Sequence, residues 1–135
     1  MALASDLMGL GIQPLLAART ATAGNGPITM FAAGSTFATA NRIQCTQFIV
    51  SVANADGTKG VSLPPIGGDN GAFLADDFVI NNATPSGTAS LFIFASTGVT
   101  ISIAGTLSAV TSLSSHQTLT AYPISTTQWV GIKGS

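Results

Sequence analysis

Few side chains in this 135-residue chain could take part in acid–base or nucleophilic chemistry. The sequence has one histidine, His116, one cysteine, Cys45, and five acidic residues, all of them aspartate. His116 lies in a polar stretch with no acidic neighbour in sequence to orient its ring, and Cys45 has no second cysteine with which to form a disulfide. We therefore predict no catalytic residue and interpret Cys45 as a small buried apolar side chain.

Oxygen ligands cluster at one place in the sequence, Asp69, Asn70, Asp76 and Asp77. Calcium prefers such hard donors, but the spacing fits no EF-hand loop. Two interpretations stay open: a structural cation site, or a turn at Asp69 followed by a strand start at Asp76 and Asp77. The sequence contains no phosphate-binding glycine loop, dinucleotide fingerprint or Cys/His pair, so we predict no cofactor and assign no metal ligand.

Two further motifs have a structural and a functional interpretation. Tyr122 and Trp129 could form a sugar-binding platform, but each lies in an alternating pattern that favours a core aromatic. Asn82-Ala83-Thr84 matches a glycosylation sequon, although Pro85 follows it and no export signal precedes it. We interpret the sequon as accidental.

Charge is scarce throughout the chain. Hydrophobic residues make up 46% of it and charged residues 7%, whereas an ordinary globular domain has about 25% charged residues. The four cations are scattered and form no basic stripe, which argues against nucleic-acid binding. Gly, Pro, Asn or Asp interrupts every apolar run before it could span a membrane. A net charge of -1 gives little repulsion between copies, so self-association or permanent docking is expected.

The chain divides near a turn-rich cluster at residues 24–27, which predicts an N-terminal helical arm over 1–24 and a β domain over 25–135. In the arm, Ser5 can cap one short helix that ends at Gly11, and Pro14 suits the start of a second. Helices this short are marginal alone, so the arm needs a partner surface, either its own β domain or a neighbouring subunit. The apolar arm residues predicted to contact that partner are Leu7, Met8, Leu10, Leu15 and Leu16. Asp6 and the lack of an early Lys or Arg argue against a signal peptide.

The rest of the chain alternates in the manner of strands separated by turn signals. Strands are predicted at 28–33, 46–53, 61–63, 77–81, 90–95, 99–103, 118–123 and 128–133. The fold class expected is all-β, a β-sandwich or jelly-roll-like domain. Leu91 and Phe92 begin a continuous apolar strand, so one of its faces should meet the core and the other the arm or a neighbouring copy.

Three stretches of the sequence resemble small virion proteins of tailed bacteriophages. The opening ASDLMGLGIQPLLA, the central GGD and DFVINN, and the closing YPISTTQWV carry this resemblance, which touches both ends and the middle of the chain. The matching pieces are simple patterns and contain no active-site signature.

The resemblance implies a structural role without enzymatic activity, that of a capsid decoration or cement protein. Its expected partner is the major capsid protein, and it would sit as a homotrimer on the capsid surface after synthesis in the host cytoplasm. The arm would then reach across a capsid subunit boundary. The alternative is a head, neck or tail fibre component, or a carbohydrate- or receptor-binding module of the virion.

Overall fold

A computed structural model describes residues 27–68, 70–85 and 89–134, and these form eleven β-strands with no helix. The prediction of an all-β chain is confirmed for this part. The strands are β1 (Ile28–Phe31), β2 (Asn41–Arg42), β3 (Ile49–Ala53), β4 (Gly60–Ser62), β5 (Phe78–Asn82), β6 (Leu91–Phe94), β7 (Thr100–Ile103), β8 (Thr106–Ser108), β9 (Val110–Leu113), β10 (Thr118–Ser125) and β11 (Gln128–Gly134). The predicted helical arm, residues 1–24, lies outside the described residues.

The strands form two sheets. One has seven strands in the order β1-β3-β5-β10-β11-β7-β8, and the other has four in the order β2-β4-β6-β9. Consecutive strands from β1 to β6 alternate between the sheets, and those sharing a sheet run parallel. The chain therefore winds back and forth between the two sheets over residues 28–94.

The last five strands form mainly antiparallel pairs. β7 and β8 form a hairpin, and β9 pairs with β6 at the edge of the four-stranded sheet. The β10–β11 hairpin fits between β5 and β7, antiparallel to β5 and parallel to β7. The prediction placed strands at eight of the eleven positions and missed β2, β8 and β9.

One hydrophobic core draws side chains from both sheets. Val50, Phe78 and Trp129 enter it from the seven-stranded sheet, and Val61 and Ile93 enter it from the four-stranded sheet. The Trp129 and Phe78 rings meet edge to face, with ring centroids 5.5 Å apart and planes inclined at 77°. This geometry is one of the arrangements that aromatic rings prefer, and it joins core side chains of β5 and β11.

A buried asparagine joins the two sheets. Asn82, at the end of β5, donates hydrogen bonds from Nδ2 to the carbonyl oxygens of Ala89 and Leu113, both at 3.1 Å. Its Oδ1 accepts from the Thr84 amide at 3.2 Å, and the Thr84 hydroxyl accepts from the Ala55 amide at 2.9 Å. These bonds satisfy polar groups that would otherwise be buried without partners.

Candidate protein-binding surfaces

Alternate residues of the seven-stranded sheet point away from the core and form what we call the outer face of that sheet. In β3, Val50 and Val52 are buried, whereas Ile49 is exposed and Ser51 is half-buried. β5 alternates in the same way, with Phe78 and Ile80 inward and Val79 outward. This period of two is the expected geometry of a strand with one covered face.

The strand register places the outward residues side by side in rows. Ile49 pairs with Val79, Val79 with Thr120, and Thr120 with Ile132, so these four residues form one row across β3, β5, β10 and β11. A second row runs across β10, β11, β7 and β8 and consists of Tyr122, Val130, Ser102 and Leu107. Directly opposed side chains lie close enough to make one continuous surface.

This outer face carries no formal charge. Within the described residues, Lys133 is the only Asp, Glu, Lys, Arg or His in the seven strands. Lys133 pairs with Leu119, a core residue, and therefore lies on the opposite side of the sheet, at the open end between β7 and β9. The outward positions are occupied by Thr, Ser, Asn, Gln, Ala and larger apolar residues.

Several large apolar side chains on this face are left open to solvent. Phe31 and Leu107 are each 59% exposed, Ile49 is 48% exposed and Ile132 is 60% exposed. An uncharged face with exposed aliphatic and aromatic groups fits a protein partner better than a charged ligand, because charged residues are depleted at the centres of protein interfaces.

The outer face of the four-stranded sheet is more strongly apolar but smaller. Phe94 pairs with Val110 and Phe92 pairs with Ser112, so Phe92, Phe94 and Val110 share this face. The ring centroids of Phe92 and Phe94 are 6.2 Å apart. Gly60 pairs with Phe92, and a Cβ at Gly60 would lie 2.4 Å from the Phe92 carbonyl oxygen. Glycine is therefore required where β4 passes beneath the aromatic pair.

The structure separates the two strand residues predicted to form an interface. Leu91 is fully buried in the core, where it pairs with Leu113. Phe92 is half-buried on the outer face of the four-stranded sheet. The remaining predicted contact residues, Leu7, Met8, Leu10, Leu15 and Leu16, lie outside the described residues. Of the predicted set, Phe92 is the described side chain that a partner could reach.

Tyr122 and Trp129 do not form a common platform. Trp129 is fully buried, as its core interpretation requires, and pairs with Pro123 on the inner side of the sheet. Tyr122 is half-buried and pairs with Val130 on the outer face. Since the two aromatic rings lie on opposite sides of the sheet, they cannot stack on one sugar.

The residues considered for catalysis or metal binding lie in turns or are buried. The His116 backbone has a φ of 63°, and its amide donates to the carbonyl oxygen of Asn82 at 2.8 Å, which fixes the turn between β9 and β10. Cys45 is buried, as predicted. Asp76 Oδ2 accepts from the Phe73 amide at 2.9 Å. Among the described residues, no three His, Cys, Asp or Glu side chains come together as a metal site would require.

Hydrogen bonds and a nearby lysine lower the pKa of Asp56. Its Oδ1 accepts from the Thr58 hydroxyl at 2.6 Å, the Thr58 amide at 2.9 Å and the Lys59 amide at 3.1 Å. Lys59 Nζ lies 3.6 Å from Oδ2. These contacts, led by the Thr58 hydroxyl, hold the pKa of Asp56 below its usual value. Their role is to order the turn between β3 and β4.

The Asn82 sequon is not available in this fold. Asn82 is fully buried, and its Nδ2, the atom that a glycan would modify, donates both hydrogen bonds described above. This agrees with the interpretation of the sequon as accidental.

The outer face of the seven-stranded sheet was not predicted from the sequence. Its signal was present in β3, where Ile49 lies between the apolar residues Phe48 and Val50, and in β11, where Val130 and Ile132 alternate with Trp129 and Gly131. Both faces of these strands carry apolar residues, so periodicity alone could not tell which face was inward. Pairing across the sheet was needed to decide.

No protein-family model, curated protein or solved structure shows significant similarity to this chain. Within residues 27–68, 70–85 and 89–134, no helix is long and apolar enough to cross a membrane.

Proposed function

We propose that this chain is a structural, non-enzymatic protein of a bacteriophage virion, a capsid decoration or cement protein that binds the major capsid protein. The resemblance of its sequence to small virion proteins gives the class. The observation that carries the proposal is the uncharged outer face of the seven-stranded sheet, with Ile49, Leu107 and Ile132 open to solvent.

A decoration protein binds a repeated, preformed surface, and this face has properties that suit such binding. Strands in the middle of a sheet hold their side chains rigidly, so little conformational entropy is lost on docking. The exposed apolar groups supply area, while the Thr and Ser hydroxyls between them can donate or accept hydrogen bonds at the rim. Contacts of this kind, repeated over many copies, would stabilise the shell.

The proposal includes the finer architecture and the assembly. The two sheets pack as a β-sandwich over the shared core, and the parallel pairs among β1–β6 set this sandwich apart from an antiparallel jelly roll. The chain acts as a homotrimer on the capsid surface. The edge strand β1 supports self-association, because Ile28–Phe31 carries none of the charged side chains that usually protect an edge.

Binding to particles that lack the chain tests the proposal. Ile132→Lys and Ile49→Lys place a charge in the central row of the outer face and should weaken binding at least tenfold. Thr126→Lys adds the same charge at the exposed β10–β11 turn, outside the face, and should bind normally. Cosedimentation with purified particles, with urea midpoints to verify folding, measures the difference.

Copy number per particle separates the main proposal from its alternative. Hundreds of copies at saturation support decoration of the capsid lattice. A handful of copies would instead indicate a head, neck or tail fibre component. Normal binding by both lysine variants of the face would overturn the assignment of the binding surface.

A further inference from the structure

An open groove runs along the outer face of the four-stranded sheet. Phe92 and Phe94 form its floor, and Ser35, Thr58 and Val110 border it. It continues past Phe37, Ala95 and Gly98 at one end. None of the described residues that line it is Asp, Glu, Lys, Arg or His, so the groove suits an uncharged, apolar occupant.

The chain itself contains a segment of matching chemistry. Residues 1–26 include Leu7, Met8, Leu10, Leu15 and Leu16, and their only charged side chains are Asp6 and Arg19. Burying leucine and methionine side chains against aromatic rings is favourable, because it removes apolar surface from water. An apolar segment tethered to an apolar groove has a high effective concentration there, about millimolar for a short flexible linker.

The distance from the start of the described chain to the groove is within reach. Pro27 precedes β1, the edge strand of the seven-stranded sheet, and Asn41 of β2 donates from Nδ2 to the Phe31 carbonyl oxygen at 2.7 Å. The edges of the two sheets therefore meet at β1 and β2. Following β1 for the four residues from Pro27 to Phe31 takes about 13 Å, and crossing about 10 Å between sheets and then two strand spacings of about 4.8 Å to β6 brings the path to about 33–38 Å.

The chain between the apolar residues and Pro27 is long enough for this path. Sixteen residues, 11–26, separate Leu10 from Pro27. They span up to about 53 Å when extended, which exceeds the path around the edge. Leu10 and the apolar residues before it can therefore lie over Phe92 and Phe94 of the same chain.

We propose that residues 1–26 dock in the Phe92–Phe94–Val110 groove of their own chain. The partner surface of the arm is then the β domain of its own chain. It is not a capsid subunit boundary. The two sheets then have different occupants: the arm covers the four-stranded sheet, and the seven-stranded sheet stays open for a partner. The inference goes beyond the proposed function and does not depend on it, because it concerns the isolated protein.

Hydrogen–deuterium exchange of the full-length protein tests this docking. Val110→Lys puts a charge in the groove and should increase amide exchange in residues 1–26 at least tenfold. Ser35→Lys, at the groove border, should also increase amide exchange in residues 1–26. Ile132→Lys adds the same charge to the opposite sheet and serves as the matched control, with no change in the arm. The urea midpoint of each variant verifies that the β domain remains folded.

The outcomes either support or overturn the proposal. Protection of residues 1–26 that is lost in both groove variants and is unchanged on tenfold dilution supports docking within one chain. Protection that falls on dilution would place the arm on a second copy and overturn it. Exchange of the arm at the rate of an unstructured peptide in the unmodified protein, or protection unaffected by Val110→Lys and Ser35→Lys, would overturn it as well.

Discussion

The side chain of Asn82 donates a 3.1 Å hydrogen bond to the carbonyl oxygen of Leu113, and this bond connects β5 of one sheet to β9 of the other. Asn82→Leu would remove it together with the bond to Ala89 and the bond accepted from the Thr84 amide. A typical hydrogen bond contributes about 0.5–1.5 kcal/mol, and a buried donor left unsatisfied costs about 1–3 kcal/mol. We expect a loss of about 3–5 kcal/mol in the free energy of unfolding, measured by urea denaturation followed through Trp129 fluorescence.

Asn81 provides the control for this substitution. It is the neighbouring residue of β5, faces outward and is half-buried, with a weak 3.4 Å contact between its Oδ1 and the Thr118 hydroxyl. Asn81→Leu should change stability by less than about 1 kcal/mol. Equal effects at the two positions would mean that Asn82 does not join the sheets.

The β7–β8 hairpin has an unfavourable residue at its turn. Ala104 and Gly105 are its two central residues, with φ values of 51° and 84°, as a type I′ turn requires. Asparagine tolerates positive φ much better than alanine and is preferred at the first position of this turn. Ala104→Asn should therefore raise stability by about 0.5–1 kcal/mol, measured as an increase in the urea midpoint. Ala109 is exposed and has no positive φ, so the control Ala109→Asn should not increase the urea midpoint.

The turns and most strands could be predicted from the sequence because their signals are local. Gly57, Gly67, Gly68 and Gly98, which lie between predicted strands, have positive φ, which glycine adopts without strain. β2 was missed because Asn41 and Arg42 are both exposed and give no apolar period. β8 was missed for the same reason, since all three of its residues are exposed.

The pairing of the strands could not be predicted in this way. β1, β3 and β5 lie side by side in parallel although 17 or more residues separate consecutive members. Nothing in the period of Ile49 or Val79 distinguishes a parallel neighbour from an antiparallel one. The candidate surface depended on that pairing, so the outer face was not visible from the sequence, whereas Phe92 was visible because its strand is continuously apolar.

Gly60 should tolerate no side chain. A Cβ at this position would lie 2.4 Å from the Phe92 carbonyl oxygen and 2.6 Å from Cε2 of Phe94. The backbone contact cannot move without separating β4 from β6, so Gly60→Ala should destabilise the protein by about 2–3 kcal/mol in urea denaturation. At Gly131 the nearest atom is Cδ1 of Leu119 at 2.9 Å, the end of a flexible side chain. Gly131→Ala should therefore destabilise the protein less than Gly60→Ala. A larger loss of stability in Gly131→Ala would contradict this packing.

The pKa of Asp56 predicts a small acid-dependent contribution to stability. Because the folded-state pKa is lowered, the stabilisation is fully present above the unfolded pKa of about 3.9 and is lost as the pH falls through the lower folded value. Thr58→Val removes the 2.6 Å hydroxyl donor and should raise the pKa of Asp56 towards its usual value. A carbon-13 NMR titration of the carboxyl group measures this. Thr126→Val should leave the titration unchanged, and an unchanged pKa in Thr58→Val would show that the hydroxyl is not the main cause.

Ser62 carries a hydroxyl that the fold does not use. It lies on the outer face of the four-stranded sheet, paired with Phe94, and is 1% exposed. Its Oγ has no hydrogen-bond partner among the described residues. Burying a hydroxyl without a partner costs about 1–3 kcal/mol. Ser62→Ala should therefore raise the free energy of unfolding, measured by urea denaturation, by about 1 kcal/mol. The control, Ser51→Ala on the opposite sheet, should change the free energy of unfolding by less than about 0.5 kcal/mol. A loss of stability in Ser62→Ala would contradict the assignment of this hydroxyl as a buried group without a partner.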